Sequence, residues 1–126
     1  MCIRDRPESQ LDISTTNIDS FGFSVHSCES ATLAQQKGAK YVIVGSIFST
    51  ESHPGGNPVG TDILCECNRR LSIPFCAIGG INASNAGGLI ELGANGVAVI
   101  SAILAAPDPR LAASELMTAM REKMEE

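Results

Sequence analysis

The chain has 126 residues, 44% of them hydrophobic and 18% charged, enough apolar mass for one packed domain and too much for an intrinsically disordered chain. Acidic side chains outnumber basic ones 14 to 9, for a formal net charge of -5, and the basic residues form no stripe interleaved with aromatics, so nucleic acid is not an expected partner. No apolar run reaches the roughly 18 residues a membrane span needs, and the start of the chain lacks the apolar stretch of a signal peptide, so no membrane partner is expected and the cytoplasm is the default location.

Residues 1–20 carry little periodicity and are expected to be irregular. The start Met1-Cys2-Ile3-Arg4-Asp5-Arg6 reads as a spurious extension, which places the domain at 21–126. A first strand is predicted at Phe21 to Val25. Ser27 can then cap a helix with Glu29 in its first turn and Ala31, Leu33 and Ala34 along it, stopped by Gly38. Tyr41-Val42-Ile43-Val44 is a continuous apolar run, as in a strand covered on both faces, and a long polar stretch from Gly45 to Gly60 follows. Thr61-Asp62 starts a helix with Ile63, Leu64, Cys67 and Leu71 on one side and Arg69 and Arg70 in the last turn; Pro74 ends it.

A third strand, Phe75 to Ile78, leads into Gly79-Gly80. The helix predicted from about Ser84 to Leu92 is weakened by Gly87-Gly88. A fourth strand is predicted at Val97 to Ile100, followed by Ser101 to Leu104 and a last helix with Asp108 as cap and Pro109 in first position. Gly38 to Val44 can be laid on Gly93 to Val99, so a β/α unit repeats. Strands alternating with helices predict an α/β fold around a parallel sheet, either open or part of a barrel.

Five cysteines stand at positions 2, 28, 65, 67 and 76 without a C-x2-C pair. Cys65 and Cys67 are about 200° apart on a helix and face different ways. All five are expected to be reduced, and no metal site is expected from them.

In parallel β/α folds the working residues sit at the strand C-terminal ends, where loops and helix N-termini share one space. Four polar or glycine-rich clusters fall there. His26 lies one residue past a strand, where imidazole can give and take a proton or simply bond the local turn. Gly79-Gly80, with Ser101 after the next strand, fits a phosphate cradle, since glycine lets the backbone approach an anion; it equally fits a tight turn. His53 sits in a loop rich in proline and glycine. From Tyr41 to Asn68 there is no lysine or arginine, so a diphosphate here would rest on Thr50, Ser52, backbone amides, a metal or cations from elsewhere.

Phe23-Ser24-Val25-His26-Ser27, Gly38 to Thr50, Pro58-Val59-Gly60, Ala77-Ile78-Gly79-Gly80-Ile81 and Gly96 to Ile103 together resemble the second half of the thiamine phosphate synthase and TenI family. The resemblance implies a partial TIM (β/α)8 barrel of about four β/α units, strands five to eight. It implies a synthase that couples hydroxymethylpyrimidine diphosphate to a thiazole phosphate with magnesium, whose ligands are expected in the family's earlier strands. The family alternative is a thiazole tautomerase without a cofactor, in which His26 is the acid and base. A further alternative is a non-catalytic half-barrel that binds phosphate or self-associates through open sheet edges. By resemblance Gly79, Gly80, Ile100 and Ser101 hold the thiazole phosphate, while Ser24, Thr50, Ser52 and His53 lie toward the diphosphate. Where the synthases have Thr-x-Thr-Lys, this chain has Thr50-Glu51-Ser52-His53, a weaker and pH-dependent replacement for the ammonium.

Overall fold

The computed structural model describes residues 3–7, 20–49 and 58–124, with backbone alone for 3–7 and 20. Five strands run parallel in sequence order: β1 (Ile3–Pro7), β2 (Ser20–Val25), β3 (Tyr41–Val44), β4 (Phe75–Ile78) and β5 (Gly96–Ala98). Between and after them lie α1 (Cys28–Gln36), α2 (Asp62–Arg70), α3 (Ala86–Glu91), α4 (Ser101–Leu104) and α5 (Pro109–Met124). This is the parallel α/β arrangement that the alternating pattern predicts.

Local chemistry explains the main boundaries. The Ser30 amide donates to the Ser27 hydroxyl at 3.1 Å, which caps α1. Its end is closed by Gly38 at φ +96 and by Ala39 N–H donating to the Ala34 carbonyl at 3.0 Å. At α5, the Leu111 amide donates to the Asp108 carboxylate at 3.1 Å, with Pro109 at the first helical position. Thr61 precedes α2 but makes no side-chain cap bond.

Three expectations need correction. Residues 3–7 are not irregular: they form an edge strand in parallel register with β2, Ile3 opposite Ser20 and Pro7 opposite Ser24. Backbone pairing with β2 defines this strand. Charged residues and a terminal proline are common on an edge and carry no apolar periodicity to read. The fourth predicted strand is shorter and shifted, Gly96–Ala98, because pairing with β4 ends at Ile78 opposite Ala98 and Ile100 already precedes α4. Finally, α3 begins at Ala86, since residues 82–85 are held in a turn by Ser84 and Ala86 amides on Asn82 oxygens.

The core lies between the sheet and its helices. Phe21, Phe23, Val25, Val42, Val44, Phe75 and Ala77 are all buried, every second residue of their strands. Phe21 and Phe23 meet edge to face at 5.7 Å. Against α5, a Cβ at Gly87 would lie 3.2 Å from the Ala119 carbonyl and 3.1 Å from Lys123 Cγ, so this helix glycine admits a close α3–α5 approach. Cys28 and Cys67 are buried together between α1 and α2, and burial first, then the Cys28 thiol bonded to it, pushes the Cys67 thiol up to about 12. Cys65 is part-exposed, on a different face of α2 from Cys67 as expected. Among the described residues no helix is long and apolar enough to cross a membrane.

Candidate functional site

The C-terminal ends of β2, β3, β4 and β5 enclose a cavity of about 240 Å3. Six of the nine predicted site residues line it: Ser24, His26, Gly79, Gly80, Ile100 and Ser101. The other three, Thr50, Ser52 and His53, lie outside the described residues. The sequence flags no role for the cavity floor, whereas Gly45-Ser46 belongs to the polar stretch from Gly45 to Gly60 at a strand end. Ile43, Ile78 and Ala98 form an apolar floor, and Gly45-Ser46 forms the wall beyond β3. The floor was discoverable from strand alternation: Ser24 is opposite Ile43, and Ile78 opposite Ala98, on the face away from the helices.

His26 is bonded across the rim to the end of β3 rather than within its own turn. Its Nδ1 lies 2.7 Å from the Gly45 carbonyl. A carbonyl oxygen only accepts, so Nδ1 carries the proton and donates. In the neutral ring Nε2 is then the basic nitrogen. The loop bond thus fixes the tautomer of a ring that also lines the cavity.

The glycines likewise do two things. Gly79 and Gly80 have φ of +107 and +67, which side chains rarely adopt. A Cβ at Gly79 would lie 2.8 Å from Ser46 Cα, and one at Gly80 2.6 Å from the Ser49 carbonyl. The loops after β3 and β4 are zipped together by Ile47 N–H on the Ile78 carbonyl (2.9 Å) and Phe48 N–H on the Gly79 carbonyl (3.1 Å). The tight turn and the wall of the cavity are therefore one structure. Sequence alone poses a tight turn against a phosphate cradle, and the turn is what the backbone geometry shows.

Among the described residues no Lys, Arg, Asp or Glu lines the cavity. An anion here would be met by backbone N–H groups and the Ser24 and Ser101 hydroxyls. Because α4 has only four residues, its macrodipole is short and individual amides carry the attraction. Magnesium prefers octahedral oxygen ligands with carboxylates among them; among the described residues no three His, Cys, Asp or Glu side chains group together. These residues do not fit that ion.

A parallel sheet flanked by helices, with its cavity at the strand C-terminal rim, defines the class: part of a (β/α)8 barrel. The family model for thiamine monophosphate synthase matches residues 14–103, and the chain belongs to that family. It is 44% identical over 106 residues to a thiamine-phosphate synthase of Roseiflexus sp. (strain RS-1), covering 83% of this chain and 45% of that protein. To the thiamine-phosphate synthase of Geobacillus thermodenitrificans it is 47% identical over 103 residues, covering 80% of this chain and 47% of the relative. A solved thiamine phosphate pyrophosphorylase from Pyrococcus furiosus superposes with a TM-score of 0.79 at 35% identity, covering 95% of this chain and 59% of that one. The chain spans about half the length of the curated relatives it matches.

Proposed function

We propose that this chain carries the thiazole phosphate site of a thiamine phosphate synthase. The supporting observation is that six residues from four strand ends, Ser24, His26, Gly79, Gly80, Ile100 and Ser101, share one cavity in a member of that family. In the proposed reaction the bond between the pyrimidine methylene carbon and the diphosphate oxygen breaks, and its electron pair leaves with diphosphate. The thiazole nitrogen then gives its lone pair to that carbon and becomes the thiazolium. No proton has to move in this step, so the chain's own residues bind and orient. Gly79, Gly80, Ile100 and Ser101 hold the thiazole phosphate, and Ser24 contacts the diphosphate, a part that the sequence pattern also assigns to Thr50, Ser52 and His53. The apolar floor of Ile43, Ile78 and Ala98 keeps water from competing with the thiazole for the pyrimidine cation. Magnesium, which would offset charge on the departing diphosphate, would be held by residues other than those described.

The test is titration of the isotope-labelled chain with the thiazole phosphate, together with diphosphate release on adding the pyrimidine diphosphate. Amide shifts centred on Gly79, Gly80 and Ser101 are expected. Shifts elsewhere with none at these positions would remove the assignment.

A second reading, thiazole tautomerase, is supported by the fixed tautomer of His26 within the same cavity. It requires proton exchange on the thiazole ring. His26→Ala should abolish that exchange while leaving phosphate binding intact, and an unchanged exchange rate would eliminate this reading.

A further inference from the structure

The loop after β4 presents three successive carbonyls, and all three are engaged by donors within the protein. Ile47 N–H takes the Ile78 carbonyl at 2.9 Å, and Phe48 N–H takes that of Gly79 at 3.1 Å. The Gly80 carbonyl is taken by a side chain, Asn85 Nδ2 at 3.1 Å. Asn85 Oδ1 accepts in turn from the Asn82 amide at 2.9 Å. These two bonds set the amide orientation, because the flipped amide would oppose oxygen to oxygen and N–H to N–H. Asn85 is held from behind: its amide and that of Ala86 both donate to the Asn82 carbonyl, at 3.2 and 2.9 Å.

We propose that Asn85 is a positioning residue for phosphate at Gly79-Gly80, which it serves by holding the Gly80 carbonyl so that the loop meets an anion with N–H groups rather than oxygen. This rests on the reading of that loop as a phosphate site. The physical argument is one of sign. A carbonyl oxygen beside a phosphate is repulsive, and Gly80, without a side chain and at φ +67, has the freedom to rotate its peptide if nothing holds the oxygen. The first two carbonyls are held by backbone N–H groups of the β3 loop, which only a proline substitution removes. The third depends on one side chain, and asparagine is suited to it because its amide donates to Gly80 while its oxygen accepts from Asn82.

The experiment compares the unsubstituted full chain with Asn85→Ala, Asn85→Ser and the control Gln35→Ala, each titrated with inorganic phosphate while the Gly79, Gly80 and Ile81 amides are followed by NMR. Asn85→Ser keeps a hydroxyl at the residue before α3, where serine is well tolerated, but is too short to reach Gly80. Gln35 makes a comparable polar clamp at the opposite end of the sheet, its Oε1 accepting from the Ser72 and Ile73 amides at 2.7 and 3.2 Å. Both Asn85 variants should weaken phosphate binding about tenfold, the loss of one neutral hydrogen bond at the top of its usual range. Gln35→Ala should lower the melting temperature and leave phosphate affinity alone. Unchanged affinity in a folded Asn85 variant overturns this inference and leaves the phosphate site standing; no phosphate-dependent shift at 79–81 in the unsubstituted chain removes both.

Discussion

The two faces of the sheet are made from alternate residues of the same strands, and they differ in nearly every property. Toward the helices stand Phe23, Val42, Val44 and Ala77, all 0% exposed. On the other face Ser24, Ile43, Ile78 and Ala98 are part-exposed and line the cavity. One face excludes water to hold the chain together; the other remains open to a ligand. Period-two alternation lets a strand of four to six residues do both. The largest consequence is for Phe23, whose truncation to alanine should cost about 3–5 kcal/mol, as for other buried aromatic side chains. Equilibrium denaturation in urea checks this, and a loss no larger than that from truncation on the cavity face would break the contrast between the faces.

Gly79 belongs to both descriptions, since it lines the cavity and packs on the β3 loop. A methyl group there meets Ser46 Cα at 2.8 Å with φ at +107, so Gly79→Ala should cost about 1–3 kcal/mol through backbone strain. Phosphate binding should fall with it. Melting curves and phosphate titration on the same sample test the pair. Lost stability with undiminished affinity would show that the glycine serves the turn alone.

Much of this architecture was readable in advance, and the reasons differ by element. The caps at Ser27 and Asp108 and the stop at Gly38 were legible because each is a local bond or a local φ. The strand at Ile3–Pro7 was not, because parallel pairing with β2 is a contact between segments some 17 positions apart that leaves no periodicity in Ile-Arg-Asp-Arg-Pro. At the site, the glycines and His26 stood out by residue type and position after a strand. Asn85 did not: it lies five residues beyond Gly80, and its importance comes from where a side-chain amide reaches in three dimensions. Nor could spacing reveal that the Gly45 carbonyl sets the His26 tautomer, a bond between residues 19 apart.

The contrast between faces can be sharpened at adjacent positions. Val44 is fully buried and Ile43 part-exposed. Val44→Ala should cost about 2–3 kcal/mol and Ile43→Ala about 1–2 kcal/mol, although isoleucine loses the larger group, because the removed carbons of Ile43 already face open space. Reversal of that order in paired denaturation curves would mean that the cavity face is packed as tightly as the helix face. Ile43→Ala should still disturb ligand binding, since it removes part of the floor.

The smallest effect is expected on the outer surface of the helix layer. Arg70 donates to Glu66 at 3.1 Å and lies 3.9 Å from Glu29, and the hydrogen bond to Glu66 raises its guanidinium above the ordinary arginine value. Its side chain is nevertheless open to water, where the attraction is screened and offset by the entropy of ordering two long side chains. Arg70→Ala should therefore leave both the denaturation midpoint and phosphate affinity within measurement error. A clear loss of affinity would mean that charge on the helix layer reaches the cavity, whose described lining contains no Lys, Arg, Asp or Glu of its own. Unchanged affinity is expected because about 0.1 M salt already screens surface charges over roughly 10 Å, leaving local amides and hydroxyls to determine how an anion is held.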